Sequence, residues 1–142
     1  MQCLVVSIHR VRIAAPTQIT GILGTIRLCG LHINKIRIAK YKIGQVVKHR
    51  LYPFRGVVFD IDPVFDNTEE WWESIPAEVR PRKDQPFYHL FAENAESEYV
   101  AYVSEQNLLP DTSEKPIRHP QVAEVFVQDE RGGYRPRHSQ LN

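Results

Sequence analysis

The sequence predicts an all-β protein built as a small β-barrel with a short helical insertion and flexible termini. Three short stretches, residues 41–50, 55–62 and 87–92, are rich in β-branched and aromatic side chains and are bounded by Gly, Pro or polar residues. Under the two-residue repeat of a strand, the third places Phe87, His89 and Phe91 on one face and Tyr88, Leu90 and Ala92 on the other. Several short strands separated by turn signals are typical of a barrel rather than of a layered α/β fold.

The first two strands form a predicted hairpin. Residues 41–50 are the first strand and residues 55–62 the second, with Gly56 expected to make a bend or bulge. Tyr52 and Phe54 lie in the short connection, and their simplest role is to staple the hairpin. Apolar side chains in a turn are also candidates for contact with a partner.

A short helix interrupts the strands. Residues 69–73 are predicted to be helical, with Asp66 as the N-cap and Glu69 three residues later. Acidic residues in the first turn suit the helix dipole. Three prolines within residues 76–86 then predict a surface excursion.

The second half of the predicted barrel begins with the third strand. A polar turn joins it to a fourth strand at residues 99–103, and residues 105–108 predict the turn that closes the barrel. Beyond Pro110, Pro120 suits the first position of a short helix, although a strand through residues 122–126 fits the same segment. The basic end after Gly133 is predicted to be disordered.

Charge divides the chain. Residues 1–40 hold six basic side chains and no acidic one, whereas the rest holds 12 basic and 17 acidic side chains. We therefore expect a basic leader at 1–38, disordered or a misassigned start, with a transit peptide or a basic arm as alternatives. The barrel spans 39–110. A C-terminal extension at 111–142 carries one short element and a disordered end.

Little in the sequence favours catalysis, a metal or a cofactor. The two cysteines cannot form a disulfide framework, which fits a reducing cytoplasm, and no apolar run approaches the ~18 residues of a membrane span. His49, His89 and His119 lack the paired spacing of metal ligands. Asp60 and Asp62 share one face of the second strand, where turn chemistry and pairing with a basic neighbour are the simplest roles. We expect no metal, no cofactor and no enzymatic activity.

Two sets of side chains are candidates for binding. Before Asp60 the strand region holds a basic segment without an acidic residue, which suits phosphate contacts, but residues 60–130 carry a net charge of −12 that would repel DNA. The candidate DNA contacts are Lys42, Lys48, Arg50 and Arg55, beside Lys40. Adjacent tryptophans cannot both point one way on a helix, so we expect one to be partly exposed toward a protein. The candidate partner contacts are Tyr52, Phe54, Trp71 and Trp72.

Three ordered segments carry a resemblance to a known family. They read Tyr-Lys-Ile-Gly-Gln-Val-Val-Lys-His-Arg at 41–50, Phe-Arg-Gly-Val-Val-Phe-Asp-Ile-Asp-Pro at 54–63 and Gln-Pro-Phe-Tyr-His-Leu at 85–90. In this order they resemble the HspQ family of heat shock proteins, also described as hemimethylated DNA-binding or YccV-like. The resemblance covers about 39–109 and continues more loosely to 136.

The resemblance implies a fold and two functions. The fold is an SH3-like β-barrel. One function is that of a heat-induced accessory factor in the degradation of denatured proteins, including a replication initiator, by the Lon protease in the cytoplasm. The other is DNA binding that prefers hemimethylated sites. The resemblance implies neither a cofactor nor a membrane partner and leaves self-association open.

Overall fold

A computed structural model describes residues 37–137 and contains one five-stranded antiparallel sheet. The strands are β1 (Val46–His49), β2 (Arg55–Asp62), β3 (Phe87–Glu93), β4 (Glu98–Ser104) and β5 (Leu108–Pro110). They pair in the order β4-β3-β2-β1-β5, and a 3-10 turn at Glu105–Asn107 joins β4 to β5. This confirms the prediction of a mainly β fold, while strand pairing leaves β4 and β5 at opposite ends of the sheet. Residues 1–36 of the expected leader and the last five residues lie outside the described ones.

The helical insertion forms α1 (Glu69–Glu73), but the predicted N-cap is wrong. Thr68, not Asp66, caps the helix, because its side chain accepts the Trp71 N–H at 3.2 Å. A cap must directly precede the first helical residue, and Asp66 lies two positions too early. Its backbone N–H instead donates to the Tyr102 hydroxyl at 2.9 Å.

Strand β3 is buried on both faces, with only His89 partly exposed. One face packs into a first core with β1 and β2, whereas the other packs against the segment after β5, so the sheet has apolar cover on both sides. The first core includes Val47, Val58, Tyr88, Leu90, Ala92 and Val103. The second consists of Val57, Phe91, Ile117, Val122 and Phe126, with further partly buried side chains around it.

In the C-terminal segment the predicted helix occurs, whereas the alternative strand through residues 122–126 is wrong for residues 122–125, which are helical. Helix α2 (Pro120–Val125) starts with proline, as predicted, and strand β6 (Phe126–Gln128) follows it directly. The predicted disorder after Gly133 is wrong for β7 (Tyr134–Pro136), which pairs with β6. The Tyr134 hydroxyl accepts the Ile117 N–H at 2.9 Å, which fixes this hairpin to the second core. Within residues 37–137 no helix has the length and apolar character needed to cross a membrane.

The irregularity predicted at Gly56 occurs elsewhere in β2. Gly56 pairs regularly with Ala92, and a Cβ there would come within 2.6 Å of the Phe91 carbonyl oxygen, so the glycine permits close packing of backbones. The register instead shifts between Val58 and Asp60. The shift sets Asp60 directly opposite His89 on β3.

Candidate functional site

The β1–β2 connection forms one wall of an open groove of about 410 Å³, which we call the hairpin groove. The opposite wall comes from the end of β3, the turn after it and the residue following β5. The structure thus brings together two predicted DNA contacts, Lys48 and Arg55, and both predicted hairpin aromatics. The lining residues are Lys48, His49, Tyr52, Pro53, Phe54, Arg55, Glu93, Asn94, Ala95 and Asp111.

His49 organises the connection, a role that sequence analysis missed. Its Nδ1 accepts the N–H groups of Leu51 at 3.0 Å and Tyr52 at 2.9 Å. Its ring lies 4.8 Å from the Tyr52 ring and 4.9 Å from the Phe54 ring, centroid to centroid. The turn therefore depends on a neutral imidazole that keeps Nδ1 as an acceptor.

The β1–β2 connection exposes two apolar side chains to solvent. Leu51 is 55% exposed and Tyr52 is 41% exposed, whereas Phe54 is partly buried against the first core and the Tyr99 ring. Of the two hairpin aromatics among the predicted partner contacts, Tyr52 is exposed and Phe54 forms the wall behind it. Leu51 was not among the predicted contacts, since a single leucine in a turn carries no sequence signal.

Arg55 lies in the groove wall but has no donor left for a phosphate. Its five N–H groups meet five acceptors on the same chain, so it departs from its predicted role as a DNA contact. The side chains of Arg55, Glu93 and Asp111 are only 17%, 8% and 8% exposed. The acceptors are Glu93 Oε1, Asp111 Oδ2, Ser113 Oγ and the carbonyls of Lys115 and Pro116.

The two buried carboxylates stay ionised because of this network. Burial alone would raise the pKa of Glu93, but hydrogen bonds from Arg118 and Arg55 outweigh it, and the pKa is lowered. Burial likewise opposes ionisation of Asp111, whereas the Ser113 hydroxyl and Arg55 lower its pKa. The acidic side of the groove is therefore neutralised within the protein itself.

The remaining candidate cations are open to solvent. Lys42, Lys48 and Arg50 are all exposed, and Lys48 lies directly opposite Arg55 in the β1–β2 register. Around them, residues 37–137 carry 14 Lys and Arg against 17 Asp and Glu, a net charge of −3. These exposed cations are available for contacts with phosphate groups, although the residues around them carry a net negative charge.

The two tryptophans do not reach the groove. Trp71 packs beside Phe65 and Tyr102, with ring centroids 5.9 and 5.4 Å away. Trp72 lies between Lys83 and Arg80, and its Nε1 donates to the Pro81 carbonyl at 2.9 Å. Both rings are only partly buried, but Trp71 fixes α1 to Phe65 and β4, and Trp72 fixes it to the proline-rich excursion.

The His49 turn predicts a specific acid sensitivity. Burial and then the Arg50 charge lower the pKa of His49 from 6.5 to about 4. The unfolded chain binds the proton at higher pH than the folded one, so stability falls as the pH drops from about 6.5 to about 4. In His49→Asn, whose amide oxygen replaces Nδ1 as acceptor, the melting temperature should fall less steeply over this window. Equal slopes in thermal unfolding of the two proteins would contradict this role.

Comparison of the chain with known proteins identifies its family. The family model described as "Hemimethylated DNA-binding protein YccV like" matches residues 39–133. F-box only protein 21 is 31% identical over 94 residues in Mus musculus and 30% in both Pongo abelii and Homo sapiens, covering 66% of this chain. The chain matches only 14–15% of the length of these relatives. No solved structure shows a significant match. The chain belongs to the YccV-like family of hemimethylated DNA-binding proteins.

Proposed function

We propose that the chain is a non-enzymatic heat shock protein that binds extended apolar segments of denatured proteins and promotes their degradation by the Lon protease. The observation that carries this proposal is the exposed side chain of Tyr52 in the lining of an open groove, with the exposed Leu51 next to it in the chain. The link to Lon, to heat shock, to a replication initiator as substrate and to the cytoplasm comes from the resemblance to the HspQ family.

The chemistry of the hairpin groove favours a polypeptide as its ligand. Tyr52 offers a large apolar ring with a polar tip, and Phe54 and Pro53 provide an apolar wall beside it. The buried charges of Glu93 and Asp111 are paired with Arg55, so a ligand does not need a positive charge to bind beside them. Aromatic anchors of this kind are enriched among the residues that dominate binding between proteins.

The fold supports the same proposal. We infer that the sheet is an SH3-like barrel, because its order β4-β3-β2-β1-β5 and the 3-10 turn before β5 fit that architecture. Small barrels bind ligands through the loops that join their strands, on a rigid scaffold. The hairpin groove is built from such loops and needs no catalytic group.

The first test changes the two exposed side chains. The double variant Leu51→Ser/Tyr52→Ser should bind a fluorescently labelled, permanently unfolded protein about ten-fold or more weakly, because buried anchors commonly contribute 1–2 kcal/mol each. Fluorescence anisotropy measures the binding, and a purified Lon assay measures the stimulated degradation of the same substrate.

Val64→Ser is the matched control, because Val64 is 40% exposed but follows β2 and belongs neither to the β1–β2 connection nor to the groove lining. It should bind and stimulate like the parent protein. If the double variant retains full binding and stimulation, or if Val64→Ser loses as much, the groove is not the binding site.

DNA binding is the second candidate function. It is favoured by the description of the matched family and by the exposed cations Lys42, Lys48 and Arg50. Because Arg55 is committed to its own network, at most four cations remain in this region, counting Lys40. If each contacts one phosphate, the log–log salt slope is about −3.6, a loss of roughly 150-fold between 50 and 200 mM salt.

The second test uses hemimethylated, fully methylated and unmethylated duplexes of one sequence. Lys48→Glu/Arg50→Glu should weaken binding and reduce the steepness of the salt slope by about 1.8, as two lost phosphate contacts require. The control Arg82→Glu/Arg131→Glu makes the same charge change at exposed positions elsewhere and should leave the slope unchanged. Equal effects of the two pairs would show that the protein responds only to net charge.

A further inference from the structure

Three metal-ligating side chains meet on β2 and β3, although their sequence spacing gives no metal motif. Asp60, Asp62 and His89 each offer one potential ligand atom, and these three atoms lie within 4.8 Å of one another. His89 Nε2 and Asp62 Oδ2 are 2.8 Å apart, and these two side chains are 22% and 20% exposed. Asp60 is exposed to solvent. None of the three lines the hairpin groove.

The fold positions these groups through the β2 bulge and a set of aromatic contacts. The register shift after Val58 pairs Asp60 with His89 across the strands. The imidazole is held by the Tyr102 ring at 4.7 Å and the Phe59 ring at 5.8 Å, centroid to centroid. A nitrogen ligand fixed in this way loses little conformational entropy on binding an ion.

Asp62 has a second polar neighbour, the Tyr102 hydroxyl. This hydroxyl accepts the Asp66 N–H and is left to donate its own proton to Asp62. Hydrogen bonds of this kind from a neighbouring residue orient carboxylates that bind metals.

The local charge is also suited to a cation. Within residues 37–137, the ion pairs that involve Asp60 or Asp62 consist of the single contact between Asp62 and His89. These two neighbouring carboxylates therefore have an imidazole beside them, and no lysine or arginine pairs with them in this part of the chain. This leaves negative charge that a bound cation would compensate.

We propose that Asp60, Asp62 and His89 form a binding site for a divalent transition metal ion of the zinc type. Such an ion binds carboxylate oxygen and imidazole nitrogen at about 2.0–2.2 Å, which places neighbouring ligand atoms ~3.4 Å apart in a tetrahedral site. The exposed Asp60 side chain reaches this distance by rotation, and His89 exchanges its bond to Asp62 for the metal. Three protein ligands leave one position open to water or another ligand.

The imidazole decides which ions this site prefers. Magnesium and calcium bind oxygen ligands almost exclusively and gain little from His89. Zinc, cobalt and nickel bind an imidazole together with carboxylates. The structure therefore assigns the site to the second group and predicts weak binding of the first.

The test titrates the full chain, with Cys3 and Cys29 replaced by serine so that thiols cannot bind the metal, with Zn²⁺ or Co²⁺. Isothermal calorimetry gives the affinity, and the visible absorption of Co²⁺ and the NMR signals of the His89 ring report its coordination. Asp60→Asn and His89→Gln should each weaken binding about ten-fold or more, because each removes one of three ligands. Asp60 is exposed and asparagine has nearly the same size, so Asp60→Asn should remain folded.

Asp66→Asn is the matched control, because it removes the same charge near Tyr102 but no proposed ligand. It should change the affinity by less than about two-fold, and Mg²⁺ should not compete with Zn²⁺ at equal concentration. The proposal is overturned if Asp66→Asn weakens binding as much as Asp60→Asn, if binding persists in Asp60→Asn and His89→Gln, or if neither metal binds.

Discussion

The guanidinium group of Arg55 connects the parts of this protein. It extends from the start of β2 to the end of β3 and to residues 111–116 beyond β5, which it holds through two carboxylates, one hydroxyl and two carbonyl groups. Because these carboxylates are 8% exposed, removal of the arginine would leave Asp111 buried without a cationic partner and Glu93 paired with Arg118 alone, at a cost of about 3–5 kcal/mol. Glu93 extends the network to Arg118, which begins the approach to α2.

The network explains why the groove and the second core occur together. Residues held by Arg55 lead directly into Ile117, which packs with Val57 and Phe91 on one face of the sheet. On the other side of the same arginine, Asp111 and Glu93 form a groove wall whose charge is already compensated. The C-terminal segment therefore covers the sheet and completes the hairpin groove, while Leu51 and Tyr52 remain free to contact a ligand.

Local patterns predicted most of the elements, and contacts distant in sequence explain the differences. Alternation located β3, and proline chemistry located the start of α2, because both depend on neighbouring residues alone. The role of Arg55 could not be predicted, since its carboxylate partners lie 38 and 56 residues away. For the same reason Arg55 looked like a phosphate contact. The cluster of Asp60 with His89 depends on the bulge, which a strand pattern does not reveal.

The most direct test of the central role of Arg55 is hydrogen exchange of the backbone amides in Arg55→Lys. Lysine keeps the charge but has three donors on one nitrogen and cannot span five acceptors. The amides of Ile117, Arg118 and Val122 should exchange about ten-fold or more faster than in the parent protein, whereas those in the middle of β3 should change much less. Unchanged exchange at these three amides would contradict the account, because the C-terminal segment would then be held without Arg55.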